Sequence, residues 1–489
     1  MGVIPSNNSI WSSKSTPMGF NFRSGMELPD DVLLLILGFL SPGQLLQCRA
    51  VCRRWSHMAL QPSLWRDKAL PSKRWETVDP KLASAVLRLA PCLGRLEVSS
   101  SMHDKSGRLL TRTHCAVSEL KFFFYAQETS LAAQVLARQA SLGSLKRVRF
   151  CVSDFCKPIN ESFQRKLRAL LHQILNTHGL EYISLNLCEP ELPALSSSDE
   201  AREVPVPASL RRLKYFHPYL DPYLPLHLKW HAATLEDVSL APAVPRAAFL
   251  LSSMPRLRRL QCTLQEDMEV LLQCPSLETF HLMIYLTDKS RLLLPQVRAF
   301  LKKVVTRLDN LVLDFWGGDE SDEATDLVLC LEGTETTPAA LRTLKFLISD
   351  GCHAFGPDPT VQLRRLGAVL HRLPNLTSLD LGGAPTRVLL EALDGTVLPD
   401  LVELTMNAPW ECPHDWAHGW QARALMRRYR RLHVHIHPMV HQEYEVCEYC
   451  RKHKCHKIPE FGRCTLFSHS KGARCDVKHE KCEIAVIVS

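Results

Sequence analysis

Residues 180–185 read LEYISL, with apolar side chains at the first, fourth and sixth positions, and that spacing returns along most of the chain. It stands at 93 (LGRLEV), 117 (VSELKF), 145 (LKRVRF), 210 (LRRLKY), 235 (LEDVSL) and 257 (LRRLQC). It continues at 277 (LETFHL), 308 (LDNLVL), 341 (LRTLKF), 376 (LTSLDL), 401 (LVELTM) and 429 (YRRLHV), thirteen copies in all. The last three positions alternate apolar, variable, apolar, as a strand with one buried face requires. The segments between copies keep a helical spacing instead. Examples are ESFQRKLRALLHQIL from 161, QEDMEVLLQC from 265, VQLRRLGAVLHRL from 361 and TRVLLEAL from 386. One strand and one helix cannot bury an apolar face alone, so neighbouring units must stack. Residues 90–440 therefore predict an α/β solenoid.

In such a stack, alternate strand residues point away from the core. Those between the last two apolar positions are Glu97, Lys121, Arg149, Ser184, Lys214, Ser239, Gln261, His281, Val312, Lys345, Asp380, Thr405 and His433. They predict one lined face, mildly basic. Lys121, Arg149, Lys214, His281 and Lys345 are its candidate substrate-binding residues, suited to an acidic or phosphorylated segment. A merely solvated face stands beside that reading. Insertions at 190–209 and 317–326 are polar or acidic loops. The Pro- and Tyr-rich HPYLDPYLPLHLKWH at 217–231 is a candidate lip on the lined face.

A different module precedes the array. After Leu28-Pro29, Asp30 and Asp31 put negative charge on a first helical turn, where the dipole favours it. The run from Val32 to Leu40 is apolar on every side, yet far short of the roughly 20 residues a membrane span needs. Ser41-Pro42-Gly43-Gln44 predicts a capping box with Pro42 at the first helical position. A second helix carries Leu45 and Leu46, and a third places Val51, Trp55 and Ala59 on one face. Three short helices hold too little core to cover a helix that is apolar all round. Part of that helix must meet a partner.

The residues LPDDVLLLILGFLSPGQLLQCRAVCRRWSHMALQPSLWR resemble an F-box over 27–67, from the opening Leu-Pro to the closing Leu-Trp. The resemblance implies docking to the Skp-type adaptor of cullin–RING ubiquitin ligases, with Leu28, Pro29, Val32, Leu35, Ile36 and Phe39 as contacts. Leu46 and Trp55 read as the module's own core. The body resembles the irregular repeats of F-box leucine-rich-repeat proteins. It lacks the polar residue expected after most strands, for example at Ala384, which leaves its curvature open. The expected organisation is a leader over 1–25, an F-box over 26–70, the repeat body, and a Cys/His-rich tail over 441–489.

Eighteen Cys with no secretory signal point to a reducing compartment, cytosol or nucleus. The net charge of +8 is scattered and argues only weakly for nucleic acid. Met1-Gly2 and Ser6 fit a loose myristoylation pattern beside the plainer reading of an unstructured leader. In the tail, Cys447, Cys450, Cys455 and Cys464 form the best set for a structural zinc, with His456 as substitute. A basic tail with idle thiols and a nucleic-acid contact stand beside it. The closing Ile-Ala-Val-Ile-Val predicts a strand pairing upstream.

The sequence shows no GxSxG, P-loop, kinase set or HExxH, and no Cys is singled out as a nucleophile. The leading expectation is an adaptor without chemistry of its own. It would be a substrate receptor linked through the Skp-type adaptor to cullin and a RING protein. A non-degradative scaffold and a metal-dependent nucleic-acid binder acting through the tail are the alternatives.

Overall fold

The computed structural model describes residues 28–71, 79–99, 107–152, 161–187, 205–216, 223–241, 246–316, 326–334, 337–349, 360–383, 385, 387–407, 420–429, 431–437, 464–467 and 485–487. The leader over 1–25, with its myristoylation pattern, lies outside them, as do Ala384 and most of the tail.

The described residues open with four helices: α1 (Asp30–Gly38), α2 (Pro42–Cys48), α3 (Arg53–Met58) and α4 (Pro62–Trp65). The capping box forms as the sequence predicts, with the Ser41 hydroxyl accepting from the Gln44 amide and the Gln44 side chain accepting from the Ser41 amide at 2.9 Å. Two expectations change. Pro62 starts a fourth helical turn, a place suited to its fixed φ, where the sequence suggested only an apolar anchor. Val51 stays exposed because α3 starts two residues after it, capped by Cys52, so the face shared with Trp55 and Ala59 never forms.

Past the module the chain builds one sheet whose strand order is its sequence order. Strand β1 is Ala69–Leu70, β2 Cys92–Val98, β3 Ala116–Phe124, β4 Arg147–Val152 and β5 Tyr182–Leu187. There follow β6 (Arg212–Phe216), β7 (Asp237–Ala241), β8 (Arg259–Thr263), β9 (Thr279–Tyr285) and β10 (Asn310–Trp316). Strands β11 (Thr343–Ser349), β12 (Ser378–Asp380), β13 (Glu403–Asn407) and β14 (His433–His437) complete a parallel ladder of 14. Each of the thirteen sequence copies lies at one strand from β2 to β14. Parallel neighbours need a crossover of a dozen residues or more, and the helical segments supply it on one side of the sheet. These include Thr129–Ser141, Glu161–Leu175 and Leu294–Val304.

The segment from 265 departs from the expected α-helix. Met268–Gln273 is a 3₁₀ helix, entered through Asp267 at φ 55. The strands it joins end at Thr263 and start at Thr279, and a short tight coil fits that span. The expected lip at 217–231 is likewise corrected where it is described. Tyr223–Trp230 is a helix whose Tyr223, Leu224, His227 and Leu228 are buried, a core face rather than a rim.

The residues just before β4 to β9 alternate in sign: Lys146, Glu181, Arg211, Glu236, Arg258 and Glu278. Lys146 pairs with Glu181 at 2.9 Å, Arg211 with Glu236 at 3.8 Å and Arg258 with Glu278 at 3.9 Å. Pairs this exposed contribute little stability.

The sheet extends at both ends. Strand β15 (Cys464–Phe467) joins β14 antiparallel, and β16 (Ala485–Ile487) joins β15, so the apolar terminus does pair upstream. At the other end β1 follows directly on the four-helix module and pairs with β2, Leu70 opposite Leu96. One hydrophobic cluster runs without a break from Leu33 and Leu37 of α1 through Leu93 and Leu96 to Ile436. The amides of Gly94 and Arg95 both donate to the Lys68 carbonyl, at 2.9 and 3.1 Å. The Lys68 ammonium in turn closes the end of α1 on the Gly38 carbonyl at 2.6 Å.

Gly94 is required at this joint. A β-carbon there would press into the Arg66 carbonyl and stand 3.2 Å from that of Lys68. Neither backbone group can yield without parting β1 from β2. Replacing Gly94 with Ala is expected to cost about 2 kcal/mol, near the middle of the overpacking range. Urea unfolding of the full chain checks it, and an unchanged midpoint would count against the packed joint.

Candidate functional site

Helix α1 is apolar all round because it serves two surfaces. Leu33 and Leu37, one turn apart, are fully buried against Leu45, Met58 and Trp65. Val32, Leu35, Ile36 and Phe39 fall at i, i+3, i+4 and i+7 and share the other face. Of these, Phe39 is 90% and Leu35 69% exposed, Ile36 is exposed and Val32 half-buried. Leu28 and Pro29, just before the helix, are exposed as well. The six residues named from the sequence thus form one outward apolar surface. Leu46 and Trp55 pack on the module's own core, as expected. Arg54 of α3 fixes the start of α1, meeting the Asp30 carboxylate at 2.6 Å and donating to the Leu28 carbonyl.

An apolar surface of this kind, rimmed by charge, is what an interaction site presents. The F-box-like family model matches residues 26–71, which cover the four helices and β1.

The second candidate surface is the sheet face opposite the helices. Strand register places Glu97, Lys121, Arg149, Ser184, Lys214, Ser239, Gln261, His281, Val312, Lys345, Asp380 and Thr405 in a single continuous row. The last expected member is corrected. Thr405 stands opposite His435, not His433, and His433 is buried. In HVHIH the apolar residues alternate without interruption, and a shift of two residues keeps every side chain on its own face.

Most of the candidate cations on this row are already neutralised within the chain. Lys121 lies 3.8 Å from Glu97, Arg149 2.9 Å from Glu119, Lys345 2.7 Å from Asp380 and His281 3.2 Å from Asp314. Lys214 has no acidic partner among the described residues. Burial, helped by Arg149 and Arg95, lowers the Lys121 pKa below the ordinary lysine value, against the opposing pull of Glu119 and Glu97.

The sequence reading missed the parallel row two residues earlier. It contains Arg95, Glu119, Arg147, Tyr182, Arg212, Asp237 and Arg259 in register. The period-2 rule that selected one row also selects this one. The signal was the residue just before the second apolar position of each copy.

Buried thiols are inert. Burial pushes Cys115 and Cys262 up to about 12, and Cys274 and Cys330 to about 11, so all four remain protonated at neutral pH. Among the described residues no group of three or more His, Cys, Asp or Glu is placed to hold a metal ion, and no helix is long and apolar enough to cross a membrane. Cys447, Cys450 and Cys455 lie outside the described residues, while Cys464 opens β15.

Proposed function

We infer that the chain is the substrate-recognition subunit of a Skp–cullin–F-box ubiquitin ligase. The outward face of α1 docks the Skp-type adaptor, and through it cullin and a RING protein. The observation that carries this reading is the solvent-facing set Leu28, Pro29, Leu35, Ile36 and Phe39 on a module matched by the F-box-like family. We read the ladder as an irregular leucine-rich-repeat solenoid, on the grounds that a strand and a crossover recur with every copy of the sequence pattern. The chain supplies position rather than chemistry. Holding a substrate lysine beside a charged ubiquitin carrier raises its effective concentration. A scaffold that docks the adaptor without degrading its partners uses the same face.

The test is affinity purification with the proteasome blocked. It compares the intact chain with one carrying Leu28→Ala, Pro29→Ala and Ile36→Asp. Adaptor and cullin are expected with the intact chain alone, and a common set of other proteins with both. If that set accumulates only when the proteasome is blocked, the receptor reading holds over the scaffold. Recovery of adaptor with the altered chain, or with neither, overturns the assignment.

A further inference from the structure

Strand β5 carries Tyr182 and Ser184 on the open face, and cations flank both residues on both sides. Tyr182 stands in register with Arg147 of β4 and Arg212 of β6, and Ser184 with Arg149 and Lys214. Neighbouring strands are about 4.8 Å apart, so the four cationic side chains spring from a platform about 10 Å wide. The guanidinium carbons of Arg149 and Arg212 lie 4.9 and 5.3 Å from the centre of the Tyr182 ring. The ring face attracts both. It also gathers like charges that repel when nothing lies between them.

Compensation within the chain is incomplete. Glu119 meets Arg149, and Asp237 on β7 turns to Arg259 at 3.2 Å. Arg147, Arg212 and Lys214 have no acidic partner among the described residues, and both arginines are exposed. Three cations without an acidic partner among the described residues, on the two strands that flank β5, call for an anion of more than one charge with several acceptor oxygens. A phosphorylated side chain supplies nearly two charges and three such oxygens, whereas a carboxylate supplies one and two.

The patch is also bounded. Glu97 and Glu119 close it on the β2–β3 side and Asp237 on the β7 side. A nucleic-acid backbone needs a continuous cationic track, and these carboxylates interrupt one. The room is for a single anionic group.

We propose that strands β4–β6 form a seat for one phosphorylated serine or threonine of a partner protein, with Arg147, Arg212 and Lys214 binding the phosphate and the Tyr182 ring holding Arg212 in place. This deepens the receptor reading and rests on it for the partner's fate, although the seat itself stands on its own geometry. Lys345 and His281, committed to Asp380 and Asp314, take no part.

The test uses the purified full chain and immobilised short peptides of random sequence around one fixed phosphoserine, beside the same peptides with serine or glutamate there. The intact chain is expected to retain the phosphorylated peptides at least about tenfold over serine, the worth of one charge-assisted contact. Replacing Arg147, Arg212 and Lys214 with Gln together should remove that preference. Lys214→Glu alone should lower it severalfold, and Lys166→Gln on the helix side should leave it intact. Thermal unfolding confirms that each variant folds. Equal retention of phosphorylated and serine peptides, an unaltered preference in the triple variant, or tighter capture of a single-stranded RNA would each overturn the seat. Adaptor binding is measured in parallel on the same proteins. Loss of peptide preference with the adaptor retained sinks the seat alone, and a preference without adaptor binding sinks the receptor reading alone.

Discussion

Replacing Phe39 with Asp should weaken adaptor binding by about a hundredfold or more while leaving the chain folded. Phe39 is almost fully exposed at the end of α1, which it caps through its backbone amide, and among the described residues its ring is not part of the hydrophobic cluster. The free chain therefore loses nothing when the ring is removed. In a complex, burying a Phe side chain contributes about 1.5–3 kcal/mol. An Asp in its place must in addition give up water for an apolar partner surface. Together these exceed about 3 kcal/mol, a factor of about a hundred in dissociation constant. Calorimetry with purified adaptor checks this, with Leu33→Ala as contrast. Leu33 is buried, so its truncation should lower stability by about 2–5 kcal/mol. Equal affinity of intact and Phe39→Asp chains would place the docking surface elsewhere.

The second large effect is acid lability. His227 and His231 sit one turn apart at the helix Tyr223–Trp230, both buried, with ring centres 6.3 Å apart. Neither ring nitrogen of His227 has a hydrogen-bond partner among the described residues. The Nδ1 of His231 accepts from the amides of Ser209 and Leu210 at 3.3 and 3.5 Å, which requires that nitrogen to carry no proton. Burial, with His231 as a lesser cause, lowers the His227 pKa to about 3, and burial lowers that of His231 to about 4. The unfolded chain takes up protons near 6.5, well above the folded values, so the fold binds fewer protons in between. Stability is complete above pH of about 6.5 and falls as the pH drops towards 4 and then 3. At a pH of about 5 each imidazole costs about 2 kcal/mol, so the pair costs about 4. His227→Leu fills the same space without unpaired nitrogens. It should remove about half of that loss and leave stability at neutral pH equal or higher. Urea unfolding at the two pH values decides it. An identical acid loss in both proteins would show His227 to be solvated.

How much could be read in advance depended on whether local rules had one solution. The α1 face was legible because a helix apolar on all sides has more surface than a four-helix core can cover, and spacing alone separates Leu33 and Leu37 from Leu35, Ile36 and Phe39. The capping box at Ser41 and the strand at the terminus follow from short-range chemistry. The row on the sheet was legible because copies of one pattern stack in one register. Where two solutions keep the same pleat, the sequence could not choose, and His433 took the place that belongs to His435. Tertiary context overrode local pattern at Val51, at the coil Met268–Gln273 and at the helix of Tyr223–Trp230, whose Pro and Tyr suggested a surface. The phosphate seat was hidden for a different reason. Charge on a face is ordinary, and only the ion pairs show which cations are spent and which are left.

The shared strand at the joint gives the ladder a fixed zero. Because β1 is both the last piece of the docking module and the first rung, position along the sheet is distance from the docking face. The graduation is about 4.8 Å per strand. A group held on β5 sits about 19 Å along this scale, and one held at β9 or β10 sits about 40 Å along it. Excising one unit between β1 and β5 would draw whatever β5 holds about 5 Å nearer the docking face and turn it by about 20° with the strand twist. The length of this chain between Gly94 and Tyr182 is therefore a coordinate, and its number of rungs decides which part of a bound molecule comes within reach.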